Sequence, residues 1–148
     1  MQLRSGSNYL ELKLVGYQYP HITNEQYDSN WLIVEGTVEH ASGRWRFRDP
    51  CLLTWEAAEL VGWLDALANK QTADSELGFI EPNLSFASLA DGTLHVTFAL
   101  EAYPPPDQLG SAQEDEYSLV FVVDAQSLRK AASELRAQLA RLPRRVVQ

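Results

Sequence analysis

The side chains that could do chemistry in this 148-residue chain are one cysteine, three histidines and twenty carboxylates. Cys51 sits in the stretch FRDPCLLTWEAAEL (Phe47 to Leu60). A cysteine nucleophile needs a lowered pKa, from a nearby cation or a helix N-terminus, and a base to orient it. Cys51 lies three residues before Thr54, the expected N-cap of a helix, and is followed by the apolar Leu52 and Leu53. Free cysteine is among the most buried residue types, so Cys51 is expected to fill the core. Asp49 and Pro50 read as a turn that reverses the chain into the helix. A small hydrolase using Cys51 is the competing reading, and the reactivity of the native thiol separates the two.

His21, His40 and His95 fall in a loop, a hairpin turn and a strand face, and no two have the i, i+4 spacing of a helical metal site. His95 with Glu101 is a metal pairing on paper only. The chain has no glycine-rich phosphate loop and no serine in a GxSxG turn. One cysteine excludes an internal disulfide and a cysteine-rich zinc site. The expectation is a protein with no catalytic residues, no metal and no cofactor. Asn83-Leu84-Ser85 matches a glycosylation triplet, which carries meaning only in a secreted context.

Charge is more informative when divided. Residues 49–124 hold fourteen acids against one base, Lys70, and no Lys or Arg occurs from Gln71 to Leu128. Residues 1–48 balance five acids against five bases, and residues 125–148 carry six bases and one acid. Such a field repels nucleic acid and attracts basic proteins, although acidity also serves solubility. No apolar run approaches the roughly 18 residues of a membrane span. The opening MQLRSGSNYLELKL lacks a signal pattern, so a cytoplasmic protein is expected.

The elements that position these groups read as one domain, residues 1–148. Leu10, Leu12 and Leu14 alternate with Glu11 and Lys13, which predicts a half-buried strand. In WLIVEGTVEHASGRWRFRD two alternating runs flank His40-Ala41-Ser42-Gly43, a hairpin that sets Glu39, Thr37 and Glu35 opposite Arg44, Arg46 and Arg48. The arginine stripe is thereby explained without nucleic acid. Leu60, Leu64 and Leu67 predict a helix over Thr54 to Asn69, with Glu56 near its positive end. Lys70 to Leu77 reads as a polar loop. Strands near Leu84–Leu89 and Leu94–Ala102 join at Asp91-Gly92; a two-residue turn would set Phe86 opposite Thr97, so a bulge or three-residue loop is expected. A proline-rich loop runs from Tyr103 to Glu116, Tyr117 to Val123 is apolar on both faces and reads as a central strand, and Asp124 or Ser127 caps a closing helix with Leu128, Ala132, Leu135, Leu139 and Leu142 inward. Trp55 and Trp63 are expected to pack between helix and sheet. The predicted fold is α+β: a mostly antiparallel sheet of about six to seven strands with two helices, in the order β-β-β-α-β-β-β-α.

The pieces YLELKLVGYQYP, DSNWLIVEGTVE, WRFRDPCLLTWEAAELVGWLDAL, FIEPNLSF and FALEAYPPP follow one another from Tyr9 to Pro106. In this order the chain resembles the WapI-like immunity proteins of bacterial contact-dependent toxins, with DPCLLTWE and EPNLSF the most specific pieces. The resemblance implies a protein that binds one cognate toxin domain and blocks it. A toxin that cuts nucleic acid needs a basic surface, which an acidic inhibitor can cover. The carboxylates expected to meet it are Asp74, Glu76, Asp107, Glu114, Asp115 and Glu116 in loops, then Glu59 and Asp65 on the first helix. A structural or regulatory module with no toxin partner is the alternative, separated by whether a toxin reading frame lies beside the gene.

Overall fold

The computed structural model describes residues 1–108 and 114–146; residues 109–113, within the predicted proline-rich loop, lie outside the described residues. The alternating leucines form β2 (Asn8–Tyr17), against which β1 (Gln2–Ser5) folds back. β3 (Trp31–His40) and β4 (Gly43–Leu53) complete a four-stranded antiparallel sheet in the order β1-β2-β3-β4. α1 (Thr54–Ala68) leads to a second antiparallel sheet, β5 (Glu76–Leu77), β6 (Leu84–Ser88), β7 (Thr93–Ala99) and β8 (Glu116–Val122), again in chain order, and α2 (Ala125–Leu139) closes the chain. The α+β class and the two helices are as expected. The described strands number eight, in two sheets, rather than six or seven in one. The additions are β1 and β5. β5 is two residues of a stretch that reads as polar loop, and it forms because Glu76 and Leu77 find Ala87 and Phe86 to pair with.

The first hairpin has the expected register: Glu35 faces Arg48, Thr37 faces Arg46 and Glu39 faces Arg44. Its loop is tighter, with Ala41-Ser42 alone between the paired ends His40 and Gly43. Of the facing charges, Glu35 and Arg48 close an ion pair. The second hairpin sets Phe86 opposite Val96. Leu89 donates to and is flanked by Thr93, leaving a three-residue loop, Ala90-Asp91-Gly92. Gly92 takes the left-handed position at φ +83° that this loop length requires.

The two inner sheet faces and the two helices enclose a common hydrophobic cluster. Trp45 and Phe47 of the first sheet pack edge-on against Phe98 of the second, with ring centroids 5.5 and 6.3 Å apart. Leu128, Ala131, Ala132 and Leu135 are the buried face of α2, and Asp124 caps it by accepting from the Ser127 N–H at 2.7 Å. Asp65 of α1 and Arg136 of α2 are ion-paired. The tail beyond α2 folds back: Arg144 stacks on Trp55 and Arg145 on Tyr17. Trp55 is therefore half-buried under a cation and beside Tyr27, while Trp63 is buried with its Nε1–H donated to the Asp74 carbonyl at 2.7 Å.

Four expectations need correction. Thr54 is the first helical residue, not the cap; its hydroxyl donates to Asn30 Oδ1 at 2.8 Å, and Leu53 occupies the cap position. Asp49-Pro50 does not reverse the chain, because β4 runs on through a bulge to Leu53. β8 is an outer strand, with Val122 71% exposed. Its free edge is met by side chains: Asn8 Nδ2 donates to the Val120 carbonyl and the Val122 N–H donates to Ser5 Oγ. Lastly, β7 stops at Ala99, and the single 3₁₀ turn Leu100–Ala102 follows.

A Cβ on Gly36 would lie 2.1 Å from the ring of Phe47, the residue directly across the hairpin. Gly36→Ala is expected to cost about 2 kcal/mol, as overpacked cores do, read from the midpoint of urea unfolding. Adding Phe47→Leu to that variant should recover part of the loss.

Candidate functional site

The first sheet delivers a carboxylate to the edge of the core. Along β4 the inward positions run Trp45, Phe47 and then Asp49, which is half-buried. There the register slips: Leu32 pairs with Leu52 but Val34 with Asp49, so Pro50 and Cys51 form a bulge opposite Ile33. Bulges re-aim side chains at sheet margins. The second sheet supplies the partner group. Asn83, just before β6, is 0% exposed, and its Nδ2 donates to Asp49 Oδ2 and to Glu101 Oε2, each at 3.1 Å. Its backbone carbonyl accepts from the Ala99 N–H at 2.9 Å. Asn83 thus ties β4 to the turn after β7. Its own Oδ1 is buried with no hydrogen-bond partner.

Donors are scarce here. Burial, then repulsion by Glu101, push the Asp49 carboxyl above the usual range, with Glu81 adding to the repulsion and the Asn83 bond opposing it. None of the ion pairs among the described residues involves Asp49, Glu81 or Glu101. Next to Glu101 stands Leu100, with φ +51° and 56% exposure. Alternation would have turned it inward with Leu94, Val96 and Phe98. The left-handed backbone turns it out instead, at a cost on the order of 1–2 kcal/mol for a side chain with a Cβ.

One further carboxylate fixes the other flank. Glu56 is buried; Oε2 accepts from the Leu53 N–H at 2.9 Å and Oε1 from the Ile80 N–H at 2.8 Å. This holds Ile80, which is exposed, above a surface groove of about 470 Å³ lined by Trp55, Glu59 and Phe79. The stretches DPCLLTWE, EPNLSF and FALEAYPPP therefore converge on one place.

Of the carboxylates expected to meet a partner, Asp74, Glu76, Asp107, Glu114, Asp115, Glu116 and Glu59 are exposed. Asp65 is half-buried and already matched by Arg136. The structure does not gather the rest into one cluster. Glu76 lies on β5 and Glu116 on β8, the two outer strands of the second sheet. Asp107, in the 3₁₀ turn Pro106–Gln108, is on the same connecting segment as Glu114 to Glu116, whose start is fastened by the Glu114 N–H donating to Tyr103 Oη at 3.0 Å. Asp49, Glu81, Glu101 and Asn83 were missed. The available signal was their presence in the most specific shared pieces; the sequence offered none for their meeting in space. Burial of Asn83 also leaves its glycosylation triplet without an accessible acceptor.

Cys51 is 1% exposed, and burial, followed by the Asp49 charge, pushes its thiol up to about 12. His40 packs between Trp45 and Tyr117, and among the described residues no histidine hydrogen-bonds Cys51. No group of three His, Cys, Asp or Glu side chains among the described residues could hold a metal ion. No described helix is long and apolar enough to cross a membrane.

Fold and site together define a class: a two-sheet α+β protein that presents carboxylates on a rigid frame and buries its one thiol. The chain belongs to the immunity protein WapI-like family, whose model matches residues 1–143. No curated protein and no solved structure gives a match.

Three outcomes follow for the site. The native thiol should stay unmodified by a disulfide reagent at pH 8 over the time in which the urea-unfolded chain reacts fully. Since the unfolded thiol ionises near 9 and the folded one near 12, the unfolded chain sheds this proton first, so stability should fall as pH rises above about 9. The Asp49 carboxyl has the same sign of shift: the folded state favours its neutral form. Asp49→Asn should therefore raise stability at pH 7, read from the urea midpoint, and the gain should vanish in acid, where Asp49 is protonated in both states.

Proposed function

We propose that this protein neutralises one cognate toxin domain by binding it in the cytoplasm, as a single domain with no reaction of its own. The observation that carries this reading is membership of the immunity family across residues 1–143. Charge supports the finer part of it. The region from Gln71 to Leu128 has ten acids and no Lys or Arg, and the loop carboxylates Asp74, Glu76, Asp107 and Glu114 to Glu116 are exposed. In this reading the toxin domain carries a basic surface, such as one that grips a phosphate backbone in a nuclease. The acidic face then speeds encounter and occupies that surface.

The test is co-expression with the toxin reading frame beside the gene, followed by kinetics on the purified pair. The wild-type chain should rescue growth. Reversal of Asp107, Glu114, Asp115 and Glu116 to lysine should slow association by roughly tenfold or more and flatten its dependence on salt. Unchanged inhibition would reject the acidic face, and failure of the wild type to rescue would reject the function.

A further inference from the structure

The groove beside α1 has walls that are fixed from behind. It is lined by Trp55, Glu56, Glu59, Gly78, Phe79 and Ile80. The Trp55 ring lies under the Arg144 guanidinium, 4.7 Å away, and edge-on to Tyr27 at 5.6 Å. Phe79 packs edge-on against the core ring of Phe86 at 6.2 Å, and the Ile80 N–H is donated to Glu56 Oε1. Ile80 nevertheless keeps 58% of its surface in water. Both oxygens of Glu56 are used within the fold, so the charge open to the groove is that of Glu59. Glu59 is exposed and enters no ion pair among the described residues. Its own helix offers it no cation, since the 15 residues of α1 hold three acids and no base.

Gly62 continues the same face. Trp55, Glu59 and Gly62 are spaced i, i+4, i+7, which sets them in one row along the helix. Gly62 is exposed, and a Cβ built there meets nothing within 4 Å. Glycine is a poor helix former, so at an interior helical position it costs stability relative to almost any other residue. Nothing inside the fold requires that cost here.

We propose that this face of α1, from the Ile80 groove to Gly62, docks a segment of the cognate toxin domain that brings one large apolar side chain to the groove and a lysine or arginine to Glu59. This rests on the toxin-binding reading and names the surface that holds the complex together. Aromatic anchors at well-packed pockets carry most of the binding energy of an interface. Walls already held in place lose little side-chain freedom when a partner arrives, which favours affinity. The charge sets the sign of the partner: Glu59 lacks a cation within the fold, and a basic toxin surface supplies one. The bare backbone at Gly62 lets the partner approach the helix closely. The exposed loop acids then govern encounter, and this face governs dissociation.

The test sets stability against binding. Gly62→Gln should unfold at a higher urea concentration than the wild type, because glutamine is the better helix former. The same variant should bind the purified toxin domain encoded beside the gene roughly tenfold or more weakly, mainly through faster dissociation. Opposite signs in the two readouts are what a merely structural glycine would not give. Ile80→Ser, at an exposed side chain, should weaken binding in the same way with its urea midpoint unchanged, and it decides alone if Gly62→Gln folds poorly. Glu59→Gln should weaken binding at low salt and lose that effect at high salt. Binding by all three variants as tight as that of the wild type would overturn the docking face and leave the immunity reading intact. Sedimentation of the free protein as a dimer that Gly62→Gln dissociates would also overturn it, the face then belonging to a second copy. No binding by the wild type would remove the immunity reading, and the docking face with it.

Discussion

Glu56 is a carboxylate taken out of water, and such a group costs several kcal/mol unless its oxygens are matched. Both are. One accepts from Leu53, where β4 becomes α1, and the other from Ile80, where the chain enters the second sheet. The helix start adds its own positive end. A single side chain thus joins three things: the end of the first sheet, the N-terminus of α1 and the approach to β6. Asn30 braces the same junction from the other side, accepting from Thr54 and from the Arg145 N–H of the tail. Ile80, the point that Glu56 holds, lies three residues before Asn83.

The distribution of charge follows from the architecture. Cations cluster where they are used: Arg48 with Glu35, Arg136 with Asp65, and Arg144 and Arg145 against aromatic rings. Among the described residues no ion pair involves the second sheet. On its outward face Thr97 and Ser118 are bonded across the strands at 2.7 Å beside His95, Val120 and Val122, and its acids sit in the connections and at the strand starts Glu76 and Glu116. Acids kept apart repel one another weakly at physiological salt, since the screening length is about 8 Å. Acids held on one amide, as Asp49 and Glu101 are, do not have that escape.

The parts of the fold with strong periodicity could be read from sequence. Leu10, Leu12 and Leu14 marked a strand, the charges of residues 35–48 fixed a register, and the mismatch of Phe86 with Thr97 called for a bulge or a three-residue loop, of which the structure has the second. β1 and β5 could not be read, because four and two residues carry too little alternation to signal a strand. β8 misled for a different reason. Apolar residues on both faces normally mean burial on both, yet Val120 and Val122 face solvent and the outer edge is guarded by Asn8 and Ser5, residues more than a hundred positions away. Thr54 fits the cap preference, but a buried glutamate two residues on took that work and freed Thr54 to hold Asn30. The candidate site shares this limit. Loop carboxylates are visible as types, whereas the meeting of Asp49, Asn83 and Glu101 depends on a bulge and on a leucine in the left-handed region.

That leucine bears on why the site exists. A chain selected only for stability would bury Leu100 with its strand-mates and separate Asp49 from Glu101. Here three unfavourable features occur together: a bulky residue at positive φ, a carboxyl pushed above its ordinary range, and a buried acceptor without a donor. Each costs stability, and strain that persists in a fold marks places where the surroundings over-determine it.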